Sequence, residues 1–327
     1  SNPVALICCN SADIPEILRN FAPFFSNNIM KPIIQVKSSP GLYHVLAVLT
    51  VGVWGTTFIS TKVLIENGMH PQDIFFLRFL IAYLGIWLIS PKRIFAKSLR
   101  DEVLLLLSGL TGGTLYFLTE NTALGLTQTT NVSFIICATP LLTTLLAQMS
   151  SQREKVGSSL VIGSLIALVG VGLLIFNGSF VLKLSPAGDL LTLSAALSWA
   201  FYSLFIRKLS GRYSATFITR KVFFYGILTV LPAFLVHPFS FSLETFTRPA
   251  VWMNLAFLSV LASLICFVVW NIILKQLGTI QASNYLYLNP LFTMIAASLF
   301  LHEQITLYAL CGVILVLGGV FLASRER

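Results

Sequence analysis

Apolar positions along this chain gather into long unbroken runs separated by short polar stretches, with no sign of the one-sided apolar stripe of a soluble helix. Ten runs can be read, at about 42–65, 72–90, 102–124, 127–148, 157–176, 186–208, 215–236, 251–274, 279–300 and 305–323. Each is close to the roughly 20 residues that a helix needs to cross ~30 Å of hydrocarbon. Helix breakers lie between them: Gly68 and Pro71, Pro91, Asn177-Gly178, and Pro238. The pattern predicts an all-α polytopic membrane protein of ten transmembrane helices.

Composition agrees with this. Hydrophobic residues make up 56% of the 327 and charged residues only 10%, against about a quarter charged in soluble chains. The formal charge of +9 does not indicate a nucleic-acid partner, because the basic residues sit in the short connections. With the amino terminus inside, fifteen Lys and Arg fall on inner segments and only Lys183 and Arg248 on outer ones. This positive-inside bias predicts a multi-pass protein of the inner or plasma membrane with both termini cytoplasmic. Residues 1–29 lack the basic start and long apolar core of a signal peptide, and Met30-Lys31 reads as an alternative start. Residues 1–41 are therefore set apart as an extension. Cys137, Cys266 and Cys311 lie in apolar runs with no metal spacing, and Cys8 and Cys9 are adjacent near the start; none suggests a site.

The chain repeats itself. "VSFIICATPLLTTLLAQM" (132–149) lies over "ASNYLYLNPLFTMIAASL" (282–299), which pairs Ser133, Pro140, Leu141, Thr143 and Ala147 with Ser283, Pro290, Leu291, Thr293 and Ala297. Glu154, Gly163 and Gly170 match Glu303, Gly312 and Gly319; upstream, Trp54 matches Trp199, Lys62 matches Arg207, and Asn121 matches Asn271. The units are 42–176 and 186–323. Five spans each is an odd number, so the second copy must enter the membrane upside down. Secondary transporters with inverted repeats have this layout, with the binding site near the midplane between the halves.

These residues resemble the drug/metabolite transporter superfamily, and within it the ten-helix transporters built from two EamA domains. The resemblance rests on Trp54-Gly55 and Trp199-Ala200 in the first helix of each half, Arg78 in the second, Pro140 and Pro290 in the fourth, and the Glu ahead of a glycine-rich helix (Glu154, Glu303). It covers about residues 42–323. It implies a central cavity walled mainly by helices 1, 3, 4, 6, 8 and 9, alternating access, and often the export of amino acids or other small metabolites. One departure is Glu120, at the end of helix 3, where such proteins are commonly plain and apolar.

The candidate cavity residues are Trp54, Arg78, Tyr116, Glu120, Pro140, Trp199, Tyr202, Trp270, Tyr285, Asn289 and Pro290. Trp and Tyr concentrate in the interfacial belts, so rings at mid-span are candidates to stack on substrate or attract a cation; packing is the competing role. Pro140 and Pro290 at mid-span remove a backbone hydrogen bond and kink the helix, which serves either a cavity wall or packing. The amides Asn121, Asn131, Asn271, Asn284 and Asn289 need partners in hydrocarbon, and interhelical hydrogen bonds suffice for them; Asn289, directly before Pro290, is the preferred cavity residue. Glycine pairs 163/170 and 312/319 suit close helix packing. Glu120 and Arg78 fall at similar depth, and three roles stay open for Glu120: reaching interfacial water, pairing with Arg78, or lining the pathway to bind a substrate amine or a coupling proton.

No phosphate-binding loop or metalloenzyme His/Glu spacing occurs, so an enzyme is not indicated and no cofactor or metal is expected. The leading expectation is a secondary transporter of small organic metabolites, amino acids or related compounds, working outward by alternating access. Its expected partners are membrane lipid, the substrate and a coupling proton, as a monomer or homodimer. A phosphorylated-sugar or nucleotide-sugar antiporter would want buried Lys or Arg in the late helices, and helices 9 and 10 have none. A non-transporting scaffold or sensor would call for large loops or an added soluble domain.

Overall fold

The computed structural model describes residues 40–89, 94–127, 129–150, 156–176, 185–239, 243–301 and 307–324. The extension before residue 40, Glu154, Glu303, Asn177-Gly178 and Lys183 lie outside them.

The described residues are helical throughout. The first half comprises α1 (Pro40–Glu66), α2 (Pro71–Ile89), α3 (Leu99–Leu126), α4 (Thr129–Ile136 continuing as Thr139–Met149) and α5 (Ser158–Phe176). The second comprises α6 (Pro186–Ser210), α7 (Ala215–Val236), α8 (Pro249–Leu277), α9 (Thr279–Asn284, Tyr285–Leu288 and Asn289–Leu301 in succession) and α10 (Leu307–Ser324). By length and composition, α1, α2, α3, α4, α6, α7 and α8 are long and apolar enough to cross a membrane. The apolar cores of α5 and α10 are shorter, and α9 is interrupted by a 3₁₀ turn at Tyr285–Leu288.

The two halves are interlocked. α1 packs on α8 and α9; its counterpart α6 packs on α3 and α4. α2 meets α8, and α7 meets α3; α2 and α7 meet each other, as do α5 and α10. The contacts thus come in pairs that interchange when the halves are swapped. α5 and α10 touch backbone to backbone: a methyl added at Gly163 would lie 2.5 Å from the Gly319 carbonyl oxygen, and one at Gly170 would lie 2.8 Å from that of Gly312. The repeated glycines exist for this approach.

Burial is inverted relative to a soluble protein. Large apolar side chains such as Leu49, Leu84, Leu145, Leu165, Leu228, Leu299 and Phe321 are exposed on the helices, while Asn271, Asn284, Thr143, Ser203, Ser263 and Arg78 are buried. Several of the buried polar groups find partners across helices. Asn271 accepts from Tyr202 and donates to Thr219, both at 2.8 Å, and Ser164 donates to Asn284 at 3.0 Å. One end of the bundle is tied by charge: Glu102 at the start of α3 accepts from Lys221 and Tyr225 of α7, and Asp101 pairs with Arg212.

Candidate functional site

The backbone departs from α-helix at matching places in the two halves, and these places build the site. α3 widens into a π-helix at Leu110–Leu115 and α8 at Phe257–Ile265; the repeat shift of 150 carries the first stretch onto 260–265. A π-turn misaligns carbonyls with their usual amide donors and recurs at functional sites. In α8 two groups of this stretch, one backbone and one side-chain, serve neighbouring helices. The Ala262 carbonyl accepts from the Trp54 indole N–H of α1 at 2.9 Å, and the Ser263 hydroxyl accepts from Arg78 Nε of α2 at 2.9 Å.

α4 and α9 break at corresponding points. α4 passes through a turn at Cys137-Ala138 and resumes at Thr139, and α9 resumes at Asn289 after its 3₁₀ turn. Pro140 and Pro290 are each the second residue of the new segment, a position where the missing N–H costs nothing. They therefore mark helix restarts, a sharper interruption than the kink expected from the sequence.

The two restarts, at Thr139 and Asn289, face one central cavity. Trp54 and Thr57 of α1, Arg78 of α2, Tyr116, Phe117 and Glu120 of α3, Trp199 of α6 and Phe267 of α8 complete most of its wall. Its free volume is only ≈ 30 Å³, room for about one water, so any larger occupant requires the walls to part. Trp54 and Trp199, equivalent in the repeats, meet edge to face at 5.3 Å, and Tyr116 lies 4.9 Å from Trp199.

A carboxyl and a guanidinium share this space. Glu120 is 5% exposed and accepts from the Tyr116 hydroxyl at 2.7 Å. Arg78, 2% exposed, holds its guanidinium carbon 4.3 Å over the Phe117 ring, a cation–π contact. No salt bridge joins the two among the described residues. The Asn289 side-chain oxygen, in a residue 7% exposed, has no hydrogen-bond partner there. A buried polar atom without a partner is costly, which suits a position that a ligand completes.

Of the residues singled out from the sequence, Trp54, Arg78, Tyr116, Glu120, Trp199 and Asn289 line the cavity together. Pro140 and Pro290 are buried one position behind lining residues. Tyr202 and Trp270 lie behind the wall, Tyr202 bonded to Asn271 and Trp270 packed 5.0 Å from Trp54. Tyr285 points elsewhere. Its hydroxyl bonds His44, and both line an apolar groove between α1, α9 and α10 with Leu288, Leu317 and Phe321. Sequence reasoning missed Thr57, Phe58, Phe117, Ile136, Thr139, Phe267 and Leu286. Among them only Thr139 carried a signal, its place directly before Pro140.

The family model described as the EamA-like transporter family matches residues 41–176 and again 186–325. The chain belongs to this family. It is a multi-pass membrane protein of two EamA units. It is 28% identical over 289 residues to an "Uncharacterized transporter" of Archaeoglobus fulgidus, covering 87% of this chain and 98% of that protein. It is 25% identical over 293 residues to a "Probable amino-acid metabolite efflux pump" of Escherichia coli, covering 85% of this chain and 93% of the relative. A protein of known crystal structure shares the fold, with a TM-score of 0.70 over 88% of this chain and 99% of that one at 17% identity.

Proposed function

We propose that this chain is a secondary transporter that moves small zwitterionic metabolites, amino acids or close relatives, outward across the inner membrane by alternating access. In this reading all ten helices cross, the halves are inverted about an axis in the membrane plane, and both termini are cytoplasmic. The interchanging contacts of the halves and the bias in basic residues support that layout.

The observation that carries the substrate class is the pair of buried groups of opposite character, the Arg78 guanidinium and the Glu120 carboxyl, lining one cavity with no salt bridge between them among the described residues. A charge in the membrane interior is expensive and marks a functional position by default. A ligand with both a carboxylate and an ammonium satisfies both poles. Its carboxylate goes to the Arg78 fork, which suits bidentate recognition. Its ammonium goes to Glu120 and the faces of Trp54, Tyr116 and Trp199. The likeness to the Escherichia coli "Probable amino-acid metabolite efflux pump" supports the same class and direction. Glu120 also offers a seat for a coupling proton when the ammonium is absent.

The test is counterflow in liposomes. Purified protein is reconstituted into vesicles loaded with unlabelled amino acid, and uptake of the labelled compound is followed. Transient accumulation above equilibrium for amino acids, without accumulation of sugar phosphates, is the expected result. Accumulation of sugar phosphates alone would overturn the reading.

A further inference from the structure

Beyond the central cavity, α1 and α3 continue their lining faces toward the end of the bundle where α3 stops. On α1 the lining residues Trp54 and Phe58 are followed on the same face by Lys62. On α3 the lining residues Tyr116 and Glu120 are followed in the same way by Leu124. Each step of four residues rises about 6 Å. The two faces meet there: Lys62, half-buried, donates from Nζ to the Leu124 carbonyl oxygen at 3.2 Å. This bond joins α1 to α3 one turn beyond Phe58 and Glu120.

The acceptor is a weak match for the donor. An ammonium carries three N–H groups, and among the described residues Lys62 places one of them, on a neutral carbonyl. Neither Glu66, one turn further along α1, nor Glu120, one turn back on α3, forms a salt bridge with it. Leu124 is among the last four residues of α3, whose carbonyls lack helical donors. Capping of that helix end therefore accounts for one N–H group and leaves two for another acceptor. The spacing also recurs: Arg207 follows Trp199 by eight residues, as Lys62 follows Trp54. In the inverted layout proposed above, each mouth of the pathway then carries one cation, Lys62 at the outer mouth.

We infer that Lys62 is a second station for the substrate carboxylate, reached as the walls part on the outer side. The inference rests on the transport reading above and deepens it: Arg78 holds the carboxylate in the central cavity, and Lys62 receives it on the way out. The free volume of ≈ 30 Å³ requires the walls to separate before a metabolite can leave. Parting α1 from α3 breaks the Lys62–Leu124 bond and frees the ammonium. A carboxylate then replaces the carbonyl, and such a charge-assisted bond is roughly twice as strong as a neutral one. The exchange stabilises the open state only when a carboxylate-bearing substrate is present. With the cavity empty, the carbonyl bond re-forms and holds the outer end together. Lys62 thus selects for the carboxylate at the opening step, separately from the selection made by Arg78.

Wild type and Lys62→Gln are compared by counterflow in liposomes and by binding isotherms on purified protein, each with an amino acid and with its amide. In Lys62→Gln the counterflow rate of the amino acid should fall roughly tenfold, the loss of one bond to a charged group. The slower counterflow of the amide and the equilibrium affinity for the amino acid should each stay within about twofold of wild type. Lys62→Cys, with the native cysteines replaced, is the second variant should the first not fold. An ammonium added there by aminoethyl methanethiosulfonate should restore the amino-acid rate, and a neutral methyl group should not. Equal proportional losses for the amino acid and its amide would reduce Lys62 to a cap of α3 and overturn the inference. Rescue by the methyl group, or an unchanged rate in a folded Lys62→Gln, would overturn it as well. Absence of amino-acid counterflow in wild type would overturn the transport reading itself, and this inference with it.

Discussion

Arg78 and Glu120 line the same central cavity, and each has a hydrogen-bond or ring partner of its own. The guanidinium rests on Ser263 and the Phe117 ring, and the carboxylate rests on the Tyr116 hydroxyl. Ser263, which accepts from Arg78, lies within the π-turn of α8. The cavity between them has a guanidinium at one end and a carboxyl at the other.

Removing one end of that gap tests its use. Glu120→Gln keeps the shape and removes the charge. A hydrogen bond to a charged group contributes about 1.5–3 kcal/mol, so affinity for an ammonium-bearing substrate should fall roughly ten- to a hundredfold. Tyr116→Phe removes only the hydroxyl that orients the carboxylate, and its effect should be smaller, about 1 kcal/mol. Binding isotherms on purified variants give both values. A Gln variant that binds and transports like wild type would reduce Glu120 to a structural residue.

The glycine seam between α5 and α10 is the most sequence-specific packing in the fold. Gly163→Leu forces a side chain against the backbone of Gly319 and Ala323, and overpacking of this kind costs about 1–3 kcal/mol. Thermal unfolding in detergent should show a lowered midpoint. Gly172→Leu is the control, since nothing lies within 4 Å of its added carbon, and it should be nearly neutral.

At the basic end of the bundle, Glu102 holds α3 of the first half to α7 of the second through Lys221 and Tyr225. Glu102→Gln leaves Lys221, 5% exposed, without its counter-charge. The expected loss is about 1–3 kcal/mol, read as a lower unfolding midpoint. Because this link joins the two halves, the variant should also alter the transport rate more than the substrate affinity. An unchanged rate in a folded variant would show that the link does not part during transport.

Much of this was legible in the chain. The repeated Pro140/Pro290 and Gly163/Gly170 with Gly312/Gly319 stood out because proline and glycine have few roles inside apolar helices, and they now mark restarts and a seam. Trp54 and Trp199 announced themselves as mid-span rings and meet in the cavity wall. Phe117 and Phe267 did not, because phenylalanine occurs 26 times here and gives no contrast. Tyr285 was misplaced for a geometric reason. In a continuous α-helix it shares a face with Asn289, but the 3₁₀ turn at Tyr285–Leu288 adds roughly 80° of rotation over four residues and carries it toward His44. The π-turns leave no periodic trace in so uniformly apolar a sequence, and the partners they expose, Ala262 and Ser263, are therefore invisible in it.

Orientation is open to direct labelling. With Cys8, Cys9, Cys137, Cys266 and Cys311 replaced, a cysteine at Glu244, between α7 and α8, should react with an impermeant thiol reagent in intact cells. One at Ser98, between α2 and α3, should react only after permeabilisation. The opposite pattern would reverse the assigned topology and, with it, the side at which Glu102 and Lys221 meet.

The central claim is that the cavity between Arg78 and Glu120 recognises both charges of a small zwitterion. The most direct measurement is ligand-induced thermal stabilisation of the purified protein by an amino acid and three relatives: its N-acetyl derivative, its amide and its decarboxylated amine. The free amino acid should raise the midpoint, and each relative, lacking one charge, should raise it far less. Arg78→Gln should abolish the preference for the carboxylate and Glu120→Gln the preference for the ammonium. Equal stabilisation by the amino acid and its N-acetyl derivative, unchanged in Glu120→Gln, would contradict the account.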